Sequence, residues 1–154
     1  MGPLANGRRQ RSIASLIDES LQHAMLVTGG PSDAARGFFY RPTVLADVDP
    51  KARAMSEEPF GPVALIRPFD EPHEAIAAAN ATRYGSGAYV FTDSAKLQRH
   101  LIDELHVGSV AINSTVATVA EAPFGGVRDS GYGYESGEEG LEGYLHTKFV
   151  HRTY

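Results

Sequence analysis

Residues 63–112 read VALIRPFDEPHEAIAAANATRYGSGAYVFTDSAKLQRHLIDELHVGSVAI. Val63-Ala64-Leu65-Ile66, Ala88-Tyr89-Val90-Phe91 and Ser109-Val110-Ala111-Ile112 are short, strand-like apolar runs, and each gap between them has helical spacing. In the first gap Asp70 is the expected cap and Pro72 lies in the first turn. Ala75, Ile76 and Ala79 form its apolar stripe, and Tyr84-Gly85 ends it. In the second gap Thr92 or Asp93 is the expected cap, Leu97, Leu101 and Leu105 face inward, and Gly108 marks the end. Strand, helix, strand, helix, strand is the order that parallel strands with right-handed crossovers require. The predicted fold class is therefore α/β, a parallel sheet with flanking helices.

Toward the N-terminus, Ile13, Leu16, Ile17, Leu21, Ala24 and Met25 repeat at helical spacing and predict an amphipathic helix over about residues 8–25. Leu26-Val27-Thr28 follows as a short strand stopped by Gly29-Gly30-Pro31. The stretch from Phe38 to Leu45 is aromatic and β-branched, but Pro42 has no N–H to give a ladder. It is expected to be an edge strand or two extended pieces. Toward the C-terminus, residues 113–134 carry no helical or strand period, and so long a loop in a compact domain is functional or disordered. Its many glycines imply unusual dihedrals or close packing. A short helix around Glu138 to Tyr144 and a final strand, Thr147-Lys148-Phe149-Val150-His151, complete the chain.

With 154 residues and 42% apolar content, the chain is long enough to close a hydrophobic core and is read as one globular unit. Acids exceed bases by 19 to 14, which argues against a nucleic-acid-binding face. Arg8, Arg9 and Arg11 alone cluster and read as a solvated helix start. No apolar stretch is long enough for a bilayer and the start lacks the apolar run of a secretory signal, so a soluble cytoplasmic protein is expected. There is no cysteine, which excludes disulfides and thiolate metal sites.

Two segments carry a more specific signal: Glu57-Glu58-Pro59-Phe60-Gly61-Pro62, and Asn113 with the loop closing on Ala122-Pro123-Phe124-Gly125-Gly126. By spacing alone Glu57-Glu58 is a solvated acidic pair. Together, in this order and at this separation, the segments resemble the carboxy-terminal part of an NAD(P)-dependent aldehyde dehydrogenase. The run Pro123 to Gly133 matches that family's pattern, with Arg128 where lysine is usual, and Pro59 stands where a branched aliphatic residue is more common. The ending, Ser130-Gly131-Tyr132-Gly133 with Tyr144 to Val150, looks most like succinate-semialdehyde dehydrogenase-type members.

The resemblance implies that Glu58 accepts hydrogen bonds from the nicotinamide-ribose hydroxyls and that Phe60 lies beside the nicotinamide ring. A carboxylate is acceptor-only and suits vicinal hydroxyls, and a phenyl face orients a flat heteroaromatic ring. It implies that the loop is a wall of the substrate tunnel, with Thr118 and Phe124 on the substrate side; Phe124 reads equally as a core plug. Residues 1–113 correspond to part of the catalytic domain, 114–135 to the tunnel loop, and 136–154 to a terminal helix and oligomerisation strand. The family's reaction is attack of a cysteine thiolate on an aldehyde or semialdehyde, hydride transfer to NAD or NADP, and thioester hydrolysis. The glycine-rich cofactor segment, oxyanion asparagine, general-base glutamate and nucleophilic cysteine lie upstream of these residues. No catalytic residue is assigned in this chain, which is expected to be an inactive fragment that binds no cofactor by itself and forms a homo-oligomer. The alternative is a non-catalytic interaction fragment that pairs with itself or with full-length subunits.

Other chemistries find no support in the sequence. His100 and His106 do not form a helical face pair, no His-Glu-x-x-His or Gly-x-Ser-x-Gly occurs, and no metal site is assigned. Gly131-Tyr132-Gly133 lacks the preceding strand and third glycine of a dinucleotide fingerprint. Asn80-Ala81-Thr82 and Asn113-Ser114-Thr115 are sequons without a secretory route.

Overall fold

A computed structural model describes residues 1–30 and 37–154; Pro31, expected to help stop the first strand, lies outside the described residues. The chain divides into two compact units, Met1–Glu74 and Ala75–Tyr154, rather than forming the single one that its length suggests. The division falls within the segment 1–113. Among the described residues no helix is long and apolar enough to cross a membrane.

In the first unit, helix α1 (Gly7–Ser20) starts at Asn6, whose Oδ1 accepts the Arg9 N–H at 2.9 Å. This satisfies one orphan donor of the first turn. Ile13, Leu16 and Ile17 are buried as the apolar spacing requires. The helix ends earlier than expected, at Ser20, and tightens into a 3₁₀ turn over Leu21–His23. Met25 belongs to strand β1. The buried Ser20 hydroxyl donates to Leu16 O (2.7 Å) and accepts from Ala54 N (3.1 Å), so α1 is tied to the short helix α2 (Arg53–Ser56).

Strands β1 (Met25–Thr28), β2 (Thr43–Ala46) and β3 (Val63–Leu65) form a sheet in that order. β1 is antiparallel to β2, and β2 parallel to β3. β2 is thus central, not an edge. Pro42 does not prevent this because the strand begins one residue later, where the Thr43 N–H donates to Pro62 O at 2.9 Å. Ile13, Ile17, Tyr40, Leu45, Val48 and Ala52 form the core of this unit.

Tyr40 is buried and, among the described residues, its Oη has no hydrogen-bond partner. Burial, reinforced by the charge of Asp18, pushes the phenol pKa above its ordinary value of 10.0, while Thr43 opposes the shift. The Thr43 hydroxyl is itself engaged with Arg41 O and Gly30 N, in keeping with the missing bond. The folded state therefore holds the proton more tightly than the unfolded chain. The contribution of Tyr40 to stability should be fully present below about pH 10 and be lost as the pH rises further. Tyr40→Phe removes the unpartnered hydroxyl and should leave stability at pH 7 within about 1 kcal/mol or raise it. It should also shrink the alkaline loss; melts of both proteins at neutral and alkaline pH check this, and equal alkaline losses would contradict it.

Helix α3 (Pro72–Asn80) spans the division between the units. The side chain that caps its start is Glu74 rather than Asp70: Oε2 accepts the N–H groups of Asp70 (3.0 Å) and Glu71 (3.2 Å). These bonds hold the Glu74 carboxyl below its ordinary pKa. Ile76 is buried, but Ala79, expected on the apolar stripe, is exposed, and the helix stops at Asn80, ahead of Tyr84-Gly85.

The second unit is built on a parallel pair, β4 (Gly87–Val90) with β5 (Ser109–Ile112), joined by helix α4 (Ala95–Glu104). The cap of α4 is Ser94, whose Oγ accepts Leu97 N at 3.3 Å; Thr92 Oγ1 accepts Ser94 N one step earlier. Leu105 is buried, and Leu97 and Leu101 are half-buried. The helix ends because Leu105 turns extended (φ −79°, ψ 120°), three residues ahead of Gly108. The α/β class with parallel pairing is observed, but β3 pairs with β2 and not with β4, so the three predicted strands belong to two sheets. Alternation along the chain orders strands without fixing which of them share a ladder. Helix α5 (Glu139–Glu142) is one turn, and Thr147–His151 lies outside both sheets. The expected final strand is thus absent from the single chain, since a strand exists only against a partner edge.

Candidate functional site

The turn carrying Glu58 and Phe60 leaves α2 at Glu57, whose N–H caps the helix on Arg53 O. Four residues apart, Arg53 and Glu57 form a two-pronged pair: Nε to Oε1 at 2.7 Å and Nη2 to Oε2 at 3.0 Å. Nη1 of Arg53 reaches Glu19 on α1 at 2.6 Å. Hydrogen bonding to Glu57 is the main reason the guanidinium pKa is raised. This bidentate network holds the start of the turn in a way that single exposed ion pairs do not. Phe60 N then donates to Glu58 O (2.9 Å) and Gly61 N to Pro59 O (2.6 Å), two tight i to i+2 bonds around Pro59.

The Glu58 side chain is exposed. Phe60 is 63% exposed, with Arg9 of α1 over its ring at 5.2 Å from the centroid. Phe60 and Gly61 line a cleft of about 530 Å³ with Leu4, Arg8 and Arg9; Glu58 stands outside that lining. An exposed acceptor-only carboxylate and a largely exposed phenyl ring suit a ribose and a flat heterocycle in chemical character. Sequence reading missed Arg53, although its i,i+4 spacing to Glu57 was the available signal.

In the second unit Asn113 ends β5 in the left-handed region at φ 50°, a conformation asparagine tolerates better than most residues. Its amide grips the backbone of Thr92 from both sides, accepting from Thr92 N at 2.8 Å and donating to Thr92 O at 3.0 Å. The loop that follows closes through paired backbone bonds between Phe124 and Glu135, 2.7 and 2.8 Å. A Cβ on Gly108 would lie 1.6 Å from Gly125 O, so glycine is required for this backbone approach.

Thr118 and Phe124 line a common cavity of about 470 Å³ with Tyr89 of β4 and with Val116. Phe124 is half-buried and Thr118 exposed. The lining is apolar and aromatic with a few hydroxyls, the character of a small-molecule pocket. Sequence reading missed Tyr89 and Val116; Tyr89 is visible only as one residue of a strand alternation. Among the described residues no group of three or more His, Asp or Glu could hold a metal ion.

The sequence matches the aldehyde dehydrogenase family over residues 1–150. A 4-(hydroxymethyl)benzenesulfonate dehydrogenase of Comamonas testosteroni is 51% identical over 151 residues, 98% of this chain and 32% of that protein. A succinate-semialdehyde dehydrogenase of Paenarthrobacter nicotinovorans is 38% identical, over 97% of this chain and 34% of its own length. In three dimensions the chain is similar to aldehyde dehydrogenase C of Pseudomonas syringae, solved with NAD⁺ and octanal. The TM-score is 0.87 and the identity 39%, with 96% of this chain and 31% of that one covered. The chain spans about a third of the length of the curated relatives it matches. From the turn at Glu58 to the loop that closes on Phe124, this chain belongs to the aldehyde dehydrogenase family.

Proposed function

We propose that these residues form the carboxy-terminal portion of a cytoplasmic enzyme that oxidises an aldehyde, or a semialdehyde, to a carboxylate with NAD or NADP. Glu58 and Phe60 serve the nicotinamide side, and Thr118 and Phe124 the aldehyde side. The observation that carries this reading is the shared cavity of Thr118 and Phe124 in a chain whose family match extends over both segments. When bound, the nicotinamide supplies the hydride acceptor. This chain's part is positional: the Glu58 carboxylate accepts from ribose hydroxyls, the Phe60 ring supports the heterocycle, and Phe124 with Thr118 orients the aldehyde and keeps water from it.

Residues 1–113 act as part of the catalytic domain, 114–135 as the tunnel loop, and 136–154 as the oligomerising end. Exposure of Phe149 (87%) and Val150 (75%) supports that last assignment. It equally favours a second reading, in which the chain is an interaction fragment pairing with itself or with full-length subunits. Light scattering of the pure chain should report a dimer or larger, and a clean monomer would count against self-association in either reading.

In a complete dehydrogenase carrying these residues, Glu58→Gln should slow hydride transfer or cofactor release more than it alters aldehyde affinity. Phe124→Ala should raise aldehyde KM about tenfold, the loss of 1–2 kcal/mol of apolar contact, with little change in cofactor KM. Stopped-flow hydride transfer beside steady-state kinetics checks both. A glutamate variant altered only in aldehyde KM would show that the two walls are wrongly assigned.

A further inference from the structure

Arg128 occupies the left-handed region at φ 57°, at the start of a 3₁₀ turn over Arg128–Ser130. A long side chain there is strained, and such strain persists only where the surroundings fix it. The cause is visible in its contacts. Nη1 donates to Thr82 O at 2.6 Å and to Asn80 O at 3.1 Å, and Nη2 donates to His106 O at 2.9 Å. Asn80 is the last residue of α3, so its carbonyl is among those a helix end leaves without a partner. His106 lies in the turn between α4 and β5. One planar cation thus gathers the ends of two connections.

The residues on either side dock on the same strip of backbone. Val127 N donates to Gly85 O (2.9 Å), Asp129 N to Arg83 O (3.2 Å), and Gly85 N to Ser130 Oγ (2.9 Å). Immediately upstream, Gly125 meets Gly108 backbone to backbone, and Phe124 begins the bridge to Glu135.

We propose that Arg128 is a positioning residue that clamps residues 124–130 onto the β4–β5 unit and so fixes Phe124 in the wall of its cavity. The aldehyde-side role rests on the function proposed above; the clamp itself does not. Charge alone is insufficient for it. The guanidinium offers donors in a rigid fork that reaches divergent carbonyls, whereas a lysine ammonium at the end of a flexible stem is a point charge.

Hydrogen exchange by mass spectrometry on the full 154-residue chain tests the clamp. Arg128→Met should speed exchange of peptides covering residues 122–130 by at least about tenfold through easier local opening. Peptides of β4 and β5 should keep their protection, and Arg128→Lys should fall between. Unchanged exchange over 122–130 in both variants overturns the proposal. If the methionine variant also loses strand protection, the lysine variant is read in the same terms.

The positioning role is tested in a complete dehydrogenase, where Arg128→Lys should raise aldehyde KM while leaving kcat and cofactor KM unchanged. If Phe124→Ala raises aldehyde KM and Arg128→Lys does not, the positioning role is wrong. If neither moves it, the assignment of Phe124 to the aldehyde wall fails, and the exchange result alone decides the clamp.

Discussion

Given any aldehyde with NAD or NADP, the purified 154-residue chain should form no reduced cofactor. The family reaction is covalent, and the chain has no cysteine to form the thioester. A serine would need a neighbouring base and a strained turn to substitute, and no such elbow occurs in the sequence. On the proposed assignment, half a cofactor wall should also bind weakly. An exposed Glu58 and a Phe60 face without pyrophosphate and adenosine contacts should give a Kd no tighter than about millimolar, or about 4 kcal/mol. Spectrophotometric assay at high protein concentration, on material freed of host enzymes, is the check. Sustained reduction that scales with the chain would mean that another nucleophile operates here.

Gly108→Ala should be the most disruptive single methyl in the second unit. The added Cβ would sit 1.6 Å from Gly125 O and 2.7 Å from Gly125 C. Both are backbone atoms, so no side-chain rotation relieves the clash. Gly125 is itself confined, since a Cβ there would lie 2.6 Å from Gly133 O. The substitution should therefore cost about 3 kcal/mol, the upper end of ordinary overpacking, or expel the loop. Denaturant unfolding measures the first outcome and loss of exchange protection at Phe124 and Glu135 the second. A variant with native stability and an ordered loop would show that this approach is not present in solution. Gly143, with nothing within 4 Å of its added Cβ, is the matched control.

What could be read from the sequence, and what could not, follows from the range of the interactions involved. The spacing of Leu97, Leu101 and Leu105 reports a local period, so α4 was legible. Its cap was not, because Thr92, Asp93 and Ser94 are all able to cap. The choice depends on where the backbone is held, and Asn113 holds Thr92 from 21 residues away. Pro42 misdirected the reading of β2 because the absence of an N–H matters only inside a ladder, and the ladder starts at Thr43. Glu58, Phe60, Thr118 and Phe124 were reached through motif resemblance rather than periodicity. Arg53 could have been found from its i,i+4 partner, but the carbonyls that Arg128 gathers lie 22 to 48 residues away and leave no local trace. Thr147–His151 has strand composition without a partner edge inside the chain, and no local pattern can supply one.

The proposed role of these residues in completing an aldehyde-oxidising site is tested most directly by grafting residues 1–150, the matched span, in place of the corresponding third of the 51%-identical Comamonas testosteroni relative. The chimera should reduce cofactor in the presence of the relative's own substrates at a rate within about tenfold of that enzyme, a barrier change of about 1.4 kcal/mol. A chimera that folds, assembles and binds cofactor yet reduces none of it would contradict the account.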